Sequence, residues 1–409
     1  MRSHSALVAL MSMLPASSCT QADDRAPAAD SEFKRAITWA PGSVVTRRVL
    51  RSVVRYCPPG SRDSGCMMLD TRKPTAAFAT SNGHVVFFDR QEGLVEMDSA
   101  GQYVGDIGTL GNEPGSYMRV MALGGSNGGV FTIWDPSLTR LTVLRPSQPP
   151  QIAWVRAEGL EGVKVTDTFA IAISVPQGKT AGDRVFASLA PVLLTGKLGR
   201  PIATVVSLAT RSEGSETQSI PSLFWPRPVW SLAADGSVLY APPDTALRIE
   251  IYDNSGRPDL LITGYLPFPS ERVTEDEIRK REAAMYATIF RKPMQSVKGC
   301  DGKLNEQKQN GIAINCQTIS YLRRVGRRSP RIQPPITDIV SLAPRGFWIR
   351  TSRVARDSAT WLMADSAGKL VGSVVLNSTE RPIGRFRELV AIADSSGGRI
   401  SVSWRLVDS

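Results

Sequence analysis

The sequence predicts an all-β protein built as a single β-propeller, and three observations indicate this fold. Short strands with apolar residues at alternate positions recur along the chain, as in residues 83–89 and 129–135. These two copies lie about 46 residues apart, which is close to the length of one four-stranded blade. Tight Asp-x-x-Gly turns separate later strands, at residues 98–101, 253–256 and 365–368.

Each repeated unit needs neighbours in order to be stable. A single antiparallel meander would expose two apolar faces and its open edges to water. Stacking such meanders around a common axis buries the faces, and each unit then contacts only the next one. The repeats therefore predict one closed ring of blades.

The composition fits a folded protein with a large core and a basic surface. Of the 409 residues, 42% are hydrophobic and 21% are charged, which is ordinary for globular proteins. The net charge is +11 at pH 7 and the isoelectric point is about 9.6. Such a charge favours anionic neighbours such as a membrane surface or glycans, although a generally basic, soluble surface explains it equally well. We expect no nucleic-acid partner.

The N-terminus resembles a bacterial lipoprotein signal. Arg2 and His4 precede an apolar run at residues 6–14 that is too short to span a bilayer. Small residues then lead directly to Cys19, the position that is acylated in such signals. We predict a signal peptide over 1–18, a lipidated Cys19 that anchors the protein to a bacterial membrane in the periplasm or on the outer surface, and a flexible tether over 19–35. Plain secretion is the alternative, because Ala16 stands where the usual pattern has leucine.

The remaining cysteines fall into two pairs that are close in sequence. An oxidising compartment would favour the disulfides Cys57–Cys66 and Cys300–Cys316, although four cysteines allow three connectivities. A zinc site is the competing interpretation. It lacks Cys-x-x-Cys spacing, and His4 is the only histidine besides His84.

One motif carries a resemblance to a known family. Residues 106–117, Asp-Ile-Gly-Thr-Leu-Gly-Asn-Glu-Pro-Gly-Ser-Tyr, are similar to the inter-blade signature of bacterial six-bladed propellers related to NHL repeats. The motif departs from the family at residues 118–120, where a proline is usual. The resemblance covers about residues 65–407 and implies six blades, but it implies no single function.

We place the six blades within a propeller domain of residues 36–409. Their predicted positions are 76–107, 119–156, 163–208, 228–266, 337–376 and 385–407. The last blade is short, so we expect an N-terminal strand near residues 44–50 or 66–69 to complete it and close the ring.

A basic insertion interrupts the β pattern at about residues 270–333, between the fourth and fifth blades. Thr274 and Glu277 form a capping-box signature, and a helical apolar pattern follows up to Pro293. An arginine cluster comes after it: Arg323, Arg324, Arg327, Arg328 and Arg331. We interpret the insertion as a lid or anion-binding patch beside the channel. The alternative is a solvated decoration.

Asp89 and Asp135 stand at the same place in two successive repeats. Such carboxylates could converge on the channel and bind Ca²⁺, as in some six-bladed lactonase-like enzymes. The alternative is that each accepts backbone N–H groups in the following turn. No nucleophile elbow, Walker loop, dinucleotide fingerprint or His-Glu-x-x-His motif is present in the sequence.

Two functions agree with these observations. The first is a non-enzymatic binding or scaffolding protein of the cell envelope, without a cofactor. The second is a Ca²⁺-dependent hydrolase or lyase with Asp, Glu or Asn ligands in the channel. An enzyme of this kind should bring three or more such side chains together at the channel mouth.

Overall fold

The computed structural model describes residues of the propeller domain and of one helix. The described ranges are 33–41, 45–57, 67–68, 74–125, 128–156, 160–174, 180–181, 184–209, 229–242, 246–266, 272–290, 335–342, 346–355, 357–396 and 400–407. All of them lie within one compact unit, Phe33–Ser409.

The first two blades are antiparallel sheets of four strands each. Three strands precede them: β1 (Arg35–Trp39), β2 (Leu50–Cys57) and β3 (Met67–Met68). Blade 1 contains β4 (Ala76–Ala79), β5 (Val85–Asp89), β6 (Gly93–Met97) and β7 (Tyr103–Ile107). The connection to the next blade holds the short parallel pair β8 (Thr109–Leu110) and β9 (Ser116–Tyr117). Blade 2 contains β10 (Ala122–Gly125), β11 (Phe131–Asp135), β12 (Arg140–Leu144) and β13 (Gln151–Trp154).

The next three blades follow the same meander. Blade 3 contains β14 (Leu160–Val165), β15 (Ala170–Ser174), β17 (Arg184–Pro191) and β18 (Ala203–Ala209), and the short β16 (Thr180–Ala181) pairs with the start of β17. Blade 4 contains β19 (Val229–Leu232), β20 (Val238–Ala241), β21 (Leu247–Tyr252) and β22 (Pro258–Gly264). Blade 5 contains β23 (Ile336–Ser341), β24 (Phe347–Ala355), β25 (Ser358–Ala364) and β26 (Leu370–Asn377).

Blade 6 joins the two ends of the chain. It contains β27 (Glu380–Phe386), β28 (Leu389–Asp394) and β29 (Ser401–Val407), and β2 pairs antiparallel with β29 as the fourth strand. This confirms the predicted closure by an N-terminal strand, but that strand is Leu50–Cys57 rather than residues 44–50. The segment near 66–69 contributes only β3, which pairs parallel with the end of β2.

One N-terminal strand was not predicted. β1 pairs in parallel with β22 and extends blade 4 to five strands. This strand begins at Arg35, the last residue of the predicted tether, and its other four residues lie in the predicted propeller domain, where no strand was expected. The period-2 pattern of a five-residue edge strand is too short to distinguish it from a polar linker.

Six apolar clusters, one at each contact between neighbouring blades, hold the ring together. Between blades 5 and 6, for example, Trp361 and Val374 pack with Val390 and Ile392, all four less than 2% exposed. Trp404 packs in the cluster that joins blade 6 to blade 1. The innermost strands β4, β10, β14, β19, β23 and β27 also contact one another in that order and return to β4. These contacts confirm an all-β, six-bladed propeller.

The Asp-x-x-Gly turns form as the sequence indicates. Asp98 Oδ1 accepts from the N–H groups of Ala100 and Gln102, at 2.9 and 2.8 Å. Asp365 Oδ1 accepts from Ala367 and Lys369 in the same way, at 3.0 and 2.8 Å. The two turns are therefore structurally equivalent.

The described part of the insertion is a helix. α1 (Glu275–Phe290) begins after Thr274, whose Oγ1 accepts from Glu277 N at 3.2 Å while Glu277 Oε2 accepts from Thr274 N at 2.8 Å. These are the two bonds of a capping box. Residues 291–334 lie outside the described residues, so the structure does not support the basic lid expected for 270–333. Among the described residues, no helix is long and apolar enough to cross a membrane.

Candidate functional site

The ring has two ends that carry different connections. At one end, which we call the connection end, lie the turns after Asp89 and Asp135 and the links between blades. At the other, which we call the cavity end, lie the turns between the first and second strands of each blade, at residues 80–84, 233–237 and 387–388. Because strands alternate in direction within a meander, these two sets of turns cannot share an end.

At the connection end, Asp89 and Asp135 bind backbone N–H groups. Asp89 Oδ1 accepts from Gln91 N at 2.7 Å and from Glu92 N at 3.3 Å. Asp135 Oδ1 accepts in the same way from residues 137 and 138, at 2.8 and 3.2 Å. Asp135 Oδ2 also accepts from Met118 N at 2.5 Å and Arg119 N at 3.1 Å. These contacts favour the turn interpretation over a metal site.

The motif at residues 106–117 is fixed by buried polar side chains. Tyr117 Oη donates to Ile107 O and accepts from Leu94 N, both at 2.7 Å, and burial raises the pKa of Tyr117 to about 12. Arg140, 1% exposed, donates to the carbonyls of Asn112 (2.8 Å) and Ser116. The motif therefore stabilises the contact between blades 1 and 2.

The described residues contain no group of three or more His, Cys, Asp or Glu side chains that could hold a metal ion. His84 binds a carboxylate: its Nδ1 lies 2.8 Å from Glu96 Oε1 on the neighbouring strand.

At the cavity end, a cavity of about 470 Å³ opens where blades 1, 4, 5 and 6 meet. Its volume is in the range that holds a small organic molecule. The apolar part of its wall includes Leu239, Phe347 and Phe386, and the hydroxyl side chains of Ser237 and Ser341 line it as well. The cavity can therefore contact both an apolar body and a polar group.

Three arginines also line this cavity, and they differ in their partners. Arg35 Nη2 donates to Asp259 Oδ2 at 2.7 Å. Arg385 Nε donates to Arg387 O at 3.0 Å, and its Nη2 lies 3.5 Å from Glu388 Oε2. The guanidinium of Arg387 pairs with no carboxylate among the described residues and lies over the Phe386 ring, 5.0 Å from its centroid.

Three charged side chains also lie on innermost strands of different blades. Arg381 binds Asp338 through two hydrogen bonds, of 2.5 and 3.2 Å, across the contact of blades 6 and 5. Lys164 of blade 3 donates to Trp230 O, and its Nζ lies 4.9 Å from the Trp230 ring centroid. Burial, with a smaller contribution from Arg381, lowers the pKa of Lys164 to about 8.

Several predicted site residues lie outside the described residues. They are Cys19, Cys66, Cys300, Cys316, Arg323, Arg324, Arg327, Arg328 and Arg331. Cys57 is described: it ends β2 and is 2% exposed. Cys66, its predicted partner, directly precedes β3 in the sequence, and β3 pairs with the end of β2.

The cavity arginines were not predicted from the sequence. Arg387 belongs to no repeat, and Phe386 lies against Gly83 only because the ring is closed. A signal was nevertheless present: residues 385–389 place a charged pair between two apolar strands, where a two-residue hairpin turn usually has glycine.

No protein-family model matches the chain, and no curated protein matches it in sequence. Among solved structures, it is similar to a member of the DUF4221 family from Bacteroides vulgatus, with 7% identity and a TM-score of 0.46 over 90% of this chain and 100% of that one. A protein from Bacteroides fragilis that is inferred to be exported gives 9% identity and a TM-score of 0.43, over 91% and 100% of the two chains. Both TM-scores are below 0.5. The assignment of six blades is therefore based on the strand pairing of this chain and not on these similarities.

Proposed function

We propose that the protein is a non-enzymatic binding protein of the bacterial cell envelope and that its ligand occupies the cavity at the cavity end. One observation carries this proposal. The cavity, about 470 Å³ in volume, combines apolar walls with serine hydroxyls and an arginine, Arg387, that pairs with no described carboxylate. Small-molecule sites typically combine apolar walls with a few polar groups in this way.

The repeated turns of the propeller provide a matched test. Ser366 lines the cavity, while Ser99 holds the same position in the equivalent Asp-Ser-Ala-Gly turn of blade 1. A library of small aromatic compounds, some neutral and some with a carboxylate or phosphate, is screened against the full chain by saturation-transfer NMR. We expect compounds that bind the wild type to be lost in Ser366→Trp and retained in Ser99→Trp.

Two results would contradict the proposal. One is a wild type that binds none of the library. The other is a set of compounds that bind Ser366→Trp as well as they bind the wild type, because the ligand would then lie elsewhere on the ring.

The envelope location rests on the N-terminal sequence. We propose export followed by acylation of Cys19, and we expect Cys19→Ser to move the protein from the membrane fraction to the soluble fraction. A wild type that is already soluble after signal cleavage would contradict lipidation. In the same oxidising compartment we propose the disulfides Cys57–Cys66 and Cys300–Cys316, which non-reducing peptide mapping can test.

The arginine cluster of the insertion is proposed as a second contact with an anionic surface. Replacing Arg323, Arg324, Arg327 and Arg328 with serine should abolish retention on anionic liposomes, and retention by the wild type should weaken with salt. Unaltered retention would make the cluster a solvated decoration. The remaining cluster residue, Arg331, is kept in this variant so that the chain next to blade 5 is unchanged.

A further inference from the structure

We propose that the cavity binds a small oxyanion, a carboxylate or a phosphate carried on an apolar body, through the guanidinium of Arg387. This inference rests on the proposed function, because it requires the cavity to be the ligand site. It names the chemical class of the ligand and the side chain that recognises it.

The first argument is the charge of the cavity wall. Arg35 and Arg385 are each near a carboxylate, Asp259 and Glu388 respectively. Arg387 forms no ion pair with a carboxylate among the described residues, and its guanidinium lies over the Phe386 ring. A guanidinium presents a planar fork of N–H donors that matches a carboxylate or a phosphate with two hydrogen bonds at once.

The second argument is the backbone of Arg387. Strands β27 and β28 are joined by the two-residue turn of Arg387 and Glu388, and Phe386 pairs with Leu389 on either side of it. Arg387 has a φ of 53°, in the left-handed region. A side chain is unfavourable there, and glycine is the usual residue at the first position of such a turn. A strained residue at a cavity is typical of a functional site.

The third argument is that neighbouring groups hold this guanidinium in place. The Phe386 ring lies beneath it, and that ring packs against Gly83, where an added Cβ would lie 2.4 Å from Phe386 Cδ1. The carbonyl of Arg387 accepts from Arg385 Nε at 3.0 Å. The contact with the Phe386 ring restricts the side chain before a ligand arrives, which reduces the conformational entropy lost on binding.

The fourth argument is the wall around the guanidinium. The hydroxyls of Ser237 and Ser341 can donate further hydrogen bonds to an oxyanion, and Phe347 and Leu239 offer apolar contact to the rest of the ligand. The wall also contains Asp235, whose Oδ1 accepts from Ser237 N at 2.9 Å. Because a carboxylate repels any anion placed beside it, we expect the oxyanion to lie next to Arg387 and not next to Asp235.

The test compares three aromatic probes of similar size: benzoate, phenyl phosphate and the neutral benzyl alcohol. Their affinities for the full chain are measured by NMR titration for the wild type, for Arg387→Gly, and for Arg90→Ala. Arg90 is an exposed arginine in a turn at the connection end, so its variant loses the same charge far from the cavity.

We expect at least one of the two anionic probes to bind the wild type and to weaken about tenfold or more in Arg387→Gly. Arg90→Ala should bind as the wild type does, and benzyl alcohol should be insensitive to both variants. A preference for benzoate would indicate a carboxylate ligand, and a preference for phenyl phosphate a phosphate ligand.

The two failures are distinguishable. If all three probes bind equally and Arg387→Gly changes none of them, the anion inference is wrong while the cavity remains a binding site, provided that Ser366→Trp abolishes binding. If Ser366→Trp also has no effect, or if no probe binds the wild type, both the inference and the proposed function are wrong. Glycine suits the left-handed turn, so Arg387→Gly should fold, and its melting curve checks this.

Discussion

The two ends of the propeller use their charged side chains differently. At the connection end, Asp135 accepts four backbone N–H groups and Arg140 donates to two backbone carbonyls, so both charges bind the protein itself. At the cavity end, Arg387 lies on an aromatic ring beside a cavity and has no carboxylate partner among the described residues.

Repeated and unrepeated residues have different roles in this propeller. Asp89 and Asp135 recur because each closes the turn after the second strand of its blade, in blades 1 and 2, through the same backbone contacts. Arg387 has no counterpart in the repeats visible in the sequence. In this propeller, therefore, repetition indicates the scaffold, and departure from the repeat indicates the candidate site.

The largest expected effect is the loss of a scaffold carboxylate. Asp135→Ala leaves four backbone N–H donors without their acceptor in a site where Asp135 is 1% exposed. We expect the free energy of unfolding to fall by about 3 kcal/mol, because each buried donor that loses its partner costs about 1–3 kcal/mol and some will relax. Urea denaturation measures this loss.

The matched control for that substitution is Asp98→Ala, which removes a carboxylate from an exposed turn. Its two N–H groups can bind water instead, so the cost should stay below about 1.5 kcal/mol. Equal losses in the two variants would show that Asp135 has no special role in holding the link between blades 1 and 2.

A smaller effect is expected from a change beneath the cavity arginine. Gly83→Ala forces a methyl group against the Phe386 ring at a φ of 87°, and we expect it to cost about 2 kcal/mol. Gly256→Ala has a similar φ, 81°, but its nearest neighbouring atoms lie 3.3 Å away. The loss of unfolding free energy in Gly83→Ala minus the loss in Gly256→Ala gives the cost of displacing the Phe386 ring. Equal losses in the two variants would mean that the ring is not held by Gly83.

The next effect is of opposite sign. Arg387→Gly removes a side chain from a left-handed position, so we expect the unfolding free energy to rise by about 1 kcal/mol. Relief of strain is expected for any non-glycine residue at a left-handed φ, so this measurement tests the strain, and the probe titrations test the function. A fall in the melting temperature of Arg387→Gly would contradict the strain at this position.

A further effect depends on pH and comes from Lys164. Its pKa is about 8 in the folded protein and 10.5 in the reference state, so the unfolded chain binds more protons between those values. The contribution of Lys164 to stability should rise as pH increases from about 8 to 10.5. The measurement is the unfolding free energy of the wild type minus that of Lys164→Met across this range. A difference that does not change with pH would contradict it.

The fold was predictable to a considerable depth from the sequence. The strands of blades 1, 2, 4 and 5 follow from period-2 apolar runs and Asp-x-x-Gly turns, because those patterns are local. Strand β1 was not predictable, since five residues at a sheet edge carry too little periodicity. The choice of β2 as the closing strand depends on contacts between residues as distant as Leu50 and Val407.

The candidate site was less predictable, for a physical reason. Its parts come from blades 1, 4, 5 and 6, and each is unremarkable in its own segment. Gly83 and Phe386 are far apart in sequence, and only the closed ring places one against the other. The residues that the sequence did indicate, Asp89 and Asp135, were visible because they repeat, and the structure uses them for its turns.

The most direct test of the contrast between the two ends is a crystal structure of the full chain with whichever anionic probe, benzoate or phenyl phosphate, binds more tightly. We expect its oxyanion to accept hydrogen bonds from the Arg387 guanidinium, with the phenyl ring in the cavity beside Phe347. A probe bound at the connection end, or a cavity without ligand while Arg387 turns to solvent, would contradict this.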